Sequence, residues 1–225
     1  MDERSHGVVL RVRPLTETSL VVQWLTPDLG RLATVAKGAR RPRSPFLGKL
    51  DLLVSADFSY LRSRRSELHT LREVSVIGRH PRITSDLHAL HVVSYAIGLV
   101  ELISESDTPI PELHELFIDL LHYLESHPPT ARAVFAFELK LLACQGLDPD
   151  PAETHLPSPA RSLLRDLLEV DWTDLASLQA DAASVRSIRL FLHGYLIHHL
   201  GKLPRGRTEA LHPPGNNPPA PASQP

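Results

Sequence analysis

Residues 8–44 read VVLRVRPLTETSLVVQWLTPDLGRLATVAKGARRPRS, and this stretch decides the fold that we predict. Short runs rich in Val and Leu alternate with turn residues, and the Thr26–Gly30 segment places Pro early and Gly last, as a hairpin connection requires. Two further runs rich in apolar and aromatic residues follow before residue 80. The pattern therefore predicts five strands, at residues 6–13, 20–26, 31–36, 56–62 and 68–77.

Five short strands in a flat sheet would expose the hydrogen-bonding groups of two open edges. Curling into a small, partly closed barrel removes most of these edges. We therefore predict a five-stranded barrel of the OB or SH3-like type over residues 1–80, as the first part of an α+β protein.

From Ser85 onward the apolar spacing changes to the period of a helix. It predicts helices starting at an N-cap Ser85, over 113–124, from an N-cap Thr130 to Gly146, from Pro159 to 168 and over 184–202. The last helix is apolar nearly all round, so we place it in the middle of the bundle. The predicted domains are a barrel at 1–80, a helical domain at 81–203 and a disordered, Pro-rich tail at 204–225.

Composition excludes several classes of protein. Hydrophobic residues make up 42% and charged residues 22% of the chain, as in an ordinary globular protein. The single cysteine, Cys144, excludes an internal disulfide and argues against a thiolate zinc site. The N-terminus lacks the pattern of an export signal, and the longest apolar stretch, 190–200, is too short for a membrane span. We expect a soluble, cytoplasmic protein without contact to a membrane.

The two parts of the chain carry charges of opposite sign. Residues 1–80 hold 14 Lys and Arg against 8 Asp and Glu, a net charge of +6. The remaining residues hold 10 against 18, a net charge of −8. A basic module joined to an acidic one indicates a polyanionic partner for the basic part.

The sharpest feature is the segment 37–45, KGARRPRSP, because a loop cannot bury its four cations without partners. Together with a second arginine cluster at 62–65 and nearby aromatic rings, it is typical of a surface that binds single strands through phosphates and bases. The alternative is that the rings belong to the core and the arginines to a solvated rim. The candidate DNA-binding residues are Lys37, Arg40, Arg41, Arg43, Lys49, Arg62, Arg64, Arg65, Trp24 and Tyr60.

No constellation of side chains predicts catalysis, a metal or a cofactor. His114 and His122 are two helical turns apart, and adjacent His198 and His199 point about 100° apart on a helix. The segment from Gly194 to Lys202 has the wrong spacing for a phosphate-binding loop. Pairs of carboxylates occur, but none has the third acid of a magnesium nuclease site.

The order of these features resembles the bacterial recombination mediator RecO family. Residues 8–44 of this chain resemble the start of that family's barrel. The resemblance lies in the region of Arg13, Glu17 and Ser19, the turn at 26–30 and the loop at 37–40. PTARAVFAFELKLLACQGLDP at 129–149 is similar to a central helix of the family, and VRSIRLFLHGYLIHHLGK at 185–202 to its closing helix. The resemblance spans residues 6–203.

The resemblance implies an OB-fold, binding of single- and double-stranded DNA, and strand annealing without ATP at the nucleoid. It also implies RecR and the C-terminal tail of single-stranded-DNA-binding protein as partners, which help to load RecA. Many members carry a four-cysteine zinc module after the central helix, whereas residues 145–164 contain no cysteine. We therefore expect the zinc module to be missing.

The acidic, apolar tail of single-stranded-DNA-binding protein would need cations beside apolar walls, and Arg132 and Lys140 are the candidates. The alternative is that both are ordinary surface charges. Two other functions remain open: an OB-fold RNA-binding protein of translation or ribosome assembly, and a scaffold whose barrel binds an acidic protein. An enzyme ranks last.

Overall fold

The structure is a computed structural model that describes residues 2–212, and the chain forms two compact units. Of the described residues, the first unit contains 2–80 together with 103–115, and the second contains 81–102 and 116–212. The segment 103–115 differs from the prediction, because it groups with the barrel instead of the helices.

The first unit is a closed five-stranded barrel, so the predicted fold is confirmed. Its strands follow the order β1-β2-β3-β5-β4, and β4 pairs again with β1. All pairings are antiparallel except β3 with β5, which run parallel through three residue pairs. The strands are β1 Asp2–Pro14, β2 Leu20–Thr26, β3 Gly30–Ala36, β4 Ser55–Leu61 and β5 Leu68–Gly78.

Aromatic side chains fill the barrel interior. The rings of Trp24 and Phe58 stack with centroids 4.2 Å apart, and Tyr60 lies 6.0 Å from Phe58. The indole N–H of Trp24 donates a 2.9 Å hydrogen bond to Oγ1 of Thr34, which satisfies both buried polar groups. These contacts join β2, β3 and β4 through a single core.

The turn between β2 and β3 requires its glycine. Oγ1 of Thr26 accepts a hydrogen bond from the backbone N–H of Leu29 and donates one to the carbonyl of Gly30, each at 3.0 Å. Gly30 has a φ of +65°, and a Cβ there would lie 2.0 Å from the carbonyl oxygen of Thr108. Only glycine meets both conditions.

Helices make up the second unit, as predicted, although α2 ends and α3 begins among residues that group with the barrel. Two 3₁₀ turns, Pro151–Glu153 and Leu175–Ser177, lie between the longer helices. In the described part of the chain no helix is long and apolar enough to cross a membrane. The helices are α1 Pro81–Ser85, α2 Leu87–Ile103, α3 Pro111–Ser126, α4 Ala131–Ala143, α5 Ser158–Glu169, α6 Ala182–Leu200 and α7 Arg207–Leu211.

Of the three residues predicted to start a helix, Ser85, Thr130 and Pro159, two are confirmed. Thr130 caps α4 by accepting a hydrogen bond from the N–H of Ala133, and Pro159 lies in the first turn of α5. Ser85 is not the cap of α2, because it ends α1. Asp86 takes this role, since its Oδ1 accepts hydrogen bonds from two N–H groups of the first turn of α2, at 2.8 and 3.0 Å.

The predicted position of α6 in the middle of the bundle is wrong. Its buried residues follow a single stripe, four residues apart. Leu190 is 70% exposed and Ile197 is 41% exposed, on other faces of the helix. Apolar residues therefore surround this helix without all of them being buried. The buried stripe consists of Ser184, Ile188, Leu192 and Leu196.

Residues 204–212 are ordered, contrary to the prediction of a disordered tail from 204; residues 213–225 lie outside the described part. Arg207, in α7, is 7% exposed and binds Glu138, which is completely buried in α4. The guanidinium donates two hydrogen bonds to the carboxylate, at 2.6 and 2.9 Å, and Tyr95 of α2 donates a third at 2.7 Å. Burial and this carboxylate raise the pKa of Tyr95 well above its usual range. The cluster joins α2, α4 and α7.

We predict that Arg207→Met lowers the free energy of unfolding by about 3 kcal/mol, because it leaves a buried carboxylate without its counter-charge. Urea denaturation followed by circular dichroism measures the loss. Arg205→Met is the matched control, since Arg205 is exposed. A loss for Arg207→Met no larger than that of the control would show that the cluster does not stabilise the helical unit.

Candidate nucleic-acid interface

The basic loop, which we define as residues 37–45, is a chain of turns fixed to the barrel core. Backbone hydrogen bonds run from Ala39 to Ala36, from Arg41 to Gly38 and from Ser44 to Arg41. Ala39 is buried within the core cluster, as is Phe46 directly after the loop. Because the loop is anchored at both points, its charged side chains are held at the surface and cannot turn inward.

The four cations of the basic loop are exposed. In the described part of the chain, none of them forms an ion pair with a carboxylate. Arg40 donates one hydrogen bond, of 3.0 Å, to the carbonyl of Thr16 in the β1–β2 connection. This contact positions the guanidinium without neutralising its charge. The cations are Lys37, Arg40, Arg41 and Arg43.

A shallow pocket of about 430 Å³ lies between the basic loop and the β1–β2 connection. Lys37 and Arg41 line one side of it, and Thr16, Thr18 and Ser19 line the other. Two cations facing a group of hydroxyl-bearing residues form a suitable surface for an anion such as a phosphate.

The second arginine cluster lies at the other end of β3. The parallel register pairs Ala33 with Leu68 and Val35 with Thr70, so the β4–β5 connection lies beside the start of β3. The basic loop leaves the end of β3, at Ala36. Seven strand residues separate the two ends, a distance of about 20 Å. The two clusters therefore cannot share one phosphate, although the sequence placed them in one site.

Arg62 is engaged with carboxylates of the barrel unit. Its Nε lies 3.0 Å from Oε2 of Glu3, and its Nη1 lies 3.1 Å from Oδ1 of Asp107. Hydrogen bonds from Tyr60 and Arg62, partly opposed by desolvation, lower the pKa of Glu3 below its usual value. The charge of Arg62 is matched within the protein, so we leave this residue out of the proposed interface. Arg64 and Arg65 are exposed.

Lys49 follows the basic loop and lies in a cleft of about 730 Å³ on the barrel, which Pro45 of the loop also lines. The cations Arg4 and Arg72 line this cleft with Lys49, but three carboxylates line it too, those of Asp28, Asp57 and Glu73. The mixture of charges makes the cleft a weaker attractor of phosphate than the basic loop.

Trp24 and Tyr60 lie inside the barrel, with no exposed surface. Burial, together with the hydrogen bond to Glu3, raises the pKa of Tyr60 to about 12. Phe46 and Phe58 are buried too, so every Phe, Trp and Tyr ring of residues 2–80 belongs to the core. The alternative interpretation, in which these rings belong to the core, therefore applies. None of them offers a face on which a base could stack.

The outer face of β1–β3 contains cations that the sequence reasoning did not select. Arg11 pairs across the sheet with Gln23, and Arg13 pairs with Val21. Both arginines point away from the core, between apolar residues of β1. The alternation RVR at 11–13 is the signal that could have identified them, because strand residues two apart share a face; the irregular pairing between Val9 and Arg11 interrupts the alternation before them.

Arg132 and Lys140 are both half-buried on α4. They are eight residues apart, which is about 12 Å along the helix. Their role toward an acidic peptide stays a prediction. Within residues 2–212, no group of three His, Cys, Asp or Glu side chains could hold a metal ion.

Trp24 should report its burial by fluorescence in Trp172→Phe, where it is the remaining tryptophan. We expect weak quenching by acrylamide and no change of emission when single-stranded DNA is added, because the ring is sealed in the core. Trp24→Phe is the control, since it leaves the half-buried Trp172 as the reporter. Quenching of Trp24 by DNA would contradict this placement.

Both units match known proteins. Residues 1–80 match the family described as Recombination protein O N terminal, and residues 84–153 match Recombination protein O C terminal. A DNA repair protein RecO of Xanthomonas euvesicatoria pv. vesicatoria is 30% identical over 224 residues, covering 88% of this chain and 92% of the relative.

Other relatives align over a shorter region. The DNA repair protein RecO of Rhodopirellula baltica is 32% identical over 64% of this chain, and that of Syntrophus aciditrophicus is 30% identical over 65%. The chain spans about half the length of these two proteins, 53% and 56%. The two family matches and the nearly full-length Xanthomonas alignment show that the chain belongs to the recombination protein O family.

Proposed function

We propose that this protein is a mediator of DNA repair and homologous recombination that binds DNA through the phosphates. The observation that carries the proposal is the basic loop, whose four exposed cations have no carboxylate partner in the described structure. Isolated cations held at a surface attract a polyanion, and each phosphate that they neutralise releases counterions. The names of the relatives, DNA repair protein RecO, support DNA as that polyanion.

The proposed contact surface begins at the pocket between the basic loop and the β1–β2 connection. It continues over the outer face of β1–β3, past Arg11 and Arg13, toward Arg64 and Arg65 at the other end of β3. Because no Phe, Trp or Tyr ring of residues 2–80 is exposed, binding relies on the sugar-phosphate backbone and is independent of base sequence. Single and double strands both present this backbone.

Annealing follows from the same electrostatics. Two complementary strands repel each other through their phosphates, and a cationic surface that holds both lowers this repulsion. In this proposed annealing activity, the protein performs no chemical step and uses no ATP or metal. We further propose that the helical unit recruits RecR and the acidic tail of single-stranded-DNA-binding protein, which leads to loading of RecA at the nucleoid.

We predict that the affinity for a single-stranded oligonucleotide falls by roughly fifty-fold between about 50 and 200 mM salt, if about four phosphates are neutralised. Fluorescence anisotropy over a salt series measures the slope. A competition series with RNA of the same length separates a DNA-specific surface from one that binds both nucleic acids. An affinity that is independent of salt would contradict the phosphate model.

We predict that replacing Arg40, Arg41 and Arg43 together by Ala weakens binding on the order of a hundredfold at low salt and lowers the salt slope by about two, because three phosphate contacts are lost. The loss should be equal for unrelated sequences and for duplexes. Annealing of complementary strands without ATP, with and without single-stranded-DNA-binding protein, should slow in parallel.

The matched control is a triple variant in which Arg165, Arg186 and Arg205 are replaced by Ala. It removes the same three positive charges from exposed positions of the helical unit. It should leave DNA affinity nearly unchanged. If both triple variants bind equally weakly, net charge and not the basic loop determines binding. Unchanged affinity in the first variant would remove the loop from the interface.

A further inference from the structure

A groove of about 540 Å³ lies in the helical unit, and none of its lining residues belongs to the proposed DNA interface. One wall is α6, through Leu190, Phe191 and Tyr195. The other wall is the segment 149–157 between α4 and α5. We call it the α6 groove.

The α6 groove presents apolar side chains to solvent. Leu190 is 70% exposed, and the half-buried rings of Phe191 and Tyr195 lie beside each other with centroids 5.3 Å apart. Leu156 of the opposite wall is half-buried. An exposed leucine next to an aromatic pair is the kind of surface that anchors a partner's apolar side chains.

The opposite wall is held in place by local hydrogen bonds. Oδ1 of Asp150 accepts a 2.7 Å hydrogen bond from the N–H of Ala152, and the hydroxyl of Thr154 donates to the carbonyl of Pro151 at 2.9 Å. Proline at 149, 151 and 157 restricts the backbone further. A preorganised wall lowers the entropic cost of binding.

Acidic residues surround the apolar surface. Among the described residues that line the α6 groove, Asp150 and Glu153 are carboxylates and there is no lysine or arginine. Burial raises the pKa of the Tyr195 hydroxyl most, and the negative charges of Asp148 and Glu153 raise it further. The groove therefore combines an apolar floor with a negative rim.

We propose that the α6 groove binds a segment of a partner protein in which apolar residues are flanked by arginine or lysine. The apolar residues would contact Leu190, Phe191 and Tyr195, and the cations would face Asp150 and Glu153. The same rim repels nucleic acid and acidic peptides, so this site is separate from DNA binding and from any acidic tail. Complementary charge sets partner choice and orientation, while apolar burial supplies affinity.

The test uses the whole chain of 225 residues and no nucleic acid, so its outcome is independent of the proposed DNA function. The probes are two labelled hexapeptides, RLPLLR and its charge-reversed counterpart ELPLLE. We expect RLPLLR to bind at least about tenfold more tightly than ELPLLE at low salt. Amide shifts in NMR spectra should map the contact to Leu190, Tyr195 and the segment 149–157.

Two variants separate charge from apolar contact. Glu153→Lys should weaken RLPLLR by about fivefold and improve binding of ELPLLE, because it reverses one exposed rim charge. Leu190→Ser should weaken both peptides by roughly tenfold through lost apolar contact. The matched controls, Glu169→Lys and Ile197→Ser, change exposed positions that do not line the groove and should have no effect.

Equal affinity for the two peptides, or amide shifts outside the groove, would overturn the proposal. It would equally be overturned if deletion of residues 213–225 shifted the groove resonances without peptide, because the chain's own C-terminal segment would then be the occupant. Self-association that Leu190→Ser abolishes, measured by sedimentation, would identify a second copy of the chain instead.

Discussion

Closure of the barrel depends on its aromatic core. Trp24, Phe58 and Tyr60 come from β2 and β4, and their rings pack with aliphatic side chains of the other strands into one core cluster. The hydrogen bond between Trp24 and Thr34 adds β3 to this arrangement. Because these rings are used inside, no Phe, Trp or Tyr ring of residues 2–80 is left for the outer surface. The core thus determines what kind of contact the barrel can offer.

Similar arginines have different roles because their surroundings differ. Arg62 lies between Glu3 and Asp107, and its charge is neutralised by these two carboxylates. The arginines of the basic loop lie on turns where no carboxylate of the described chain reaches them. A count of charges along the sequence cannot separate these cases, since Asp107 is 45 residues away from its partner. Only the fold brings the two together.

Local patterns predicted the barrel and most helices well. The alternation of β3 and the Thr26–Gly30 turn are local signals, and the observed strand bounds lie close to the predicted ones, apart from an earlier start of β1. Burial was predicted less well. The sequence alone does not distinguish the rings of Trp24 and Tyr60 from the apolar residues of α6. In the structure the two rings are buried, whereas Leu190 of α6 is exposed. Which apolar residue is covered depends on distant elements, and the ordered α7 likewise depends on Glu138, 69 residues before Arg207.

The separation of the two arginine clusters along β3 has a consequence for how a polyanion approaches. One end of the barrel carries the uncompensated charge of the basic loop, while the other end is partly neutralised at Arg62. Such an imbalance gives the unit an electrostatic polarity, which orients an incoming strand before any contact forms. The first encounter would then take place at the basic loop, and the rest of the outer face would be engaged by lateral spreading toward the β4–β5 connection.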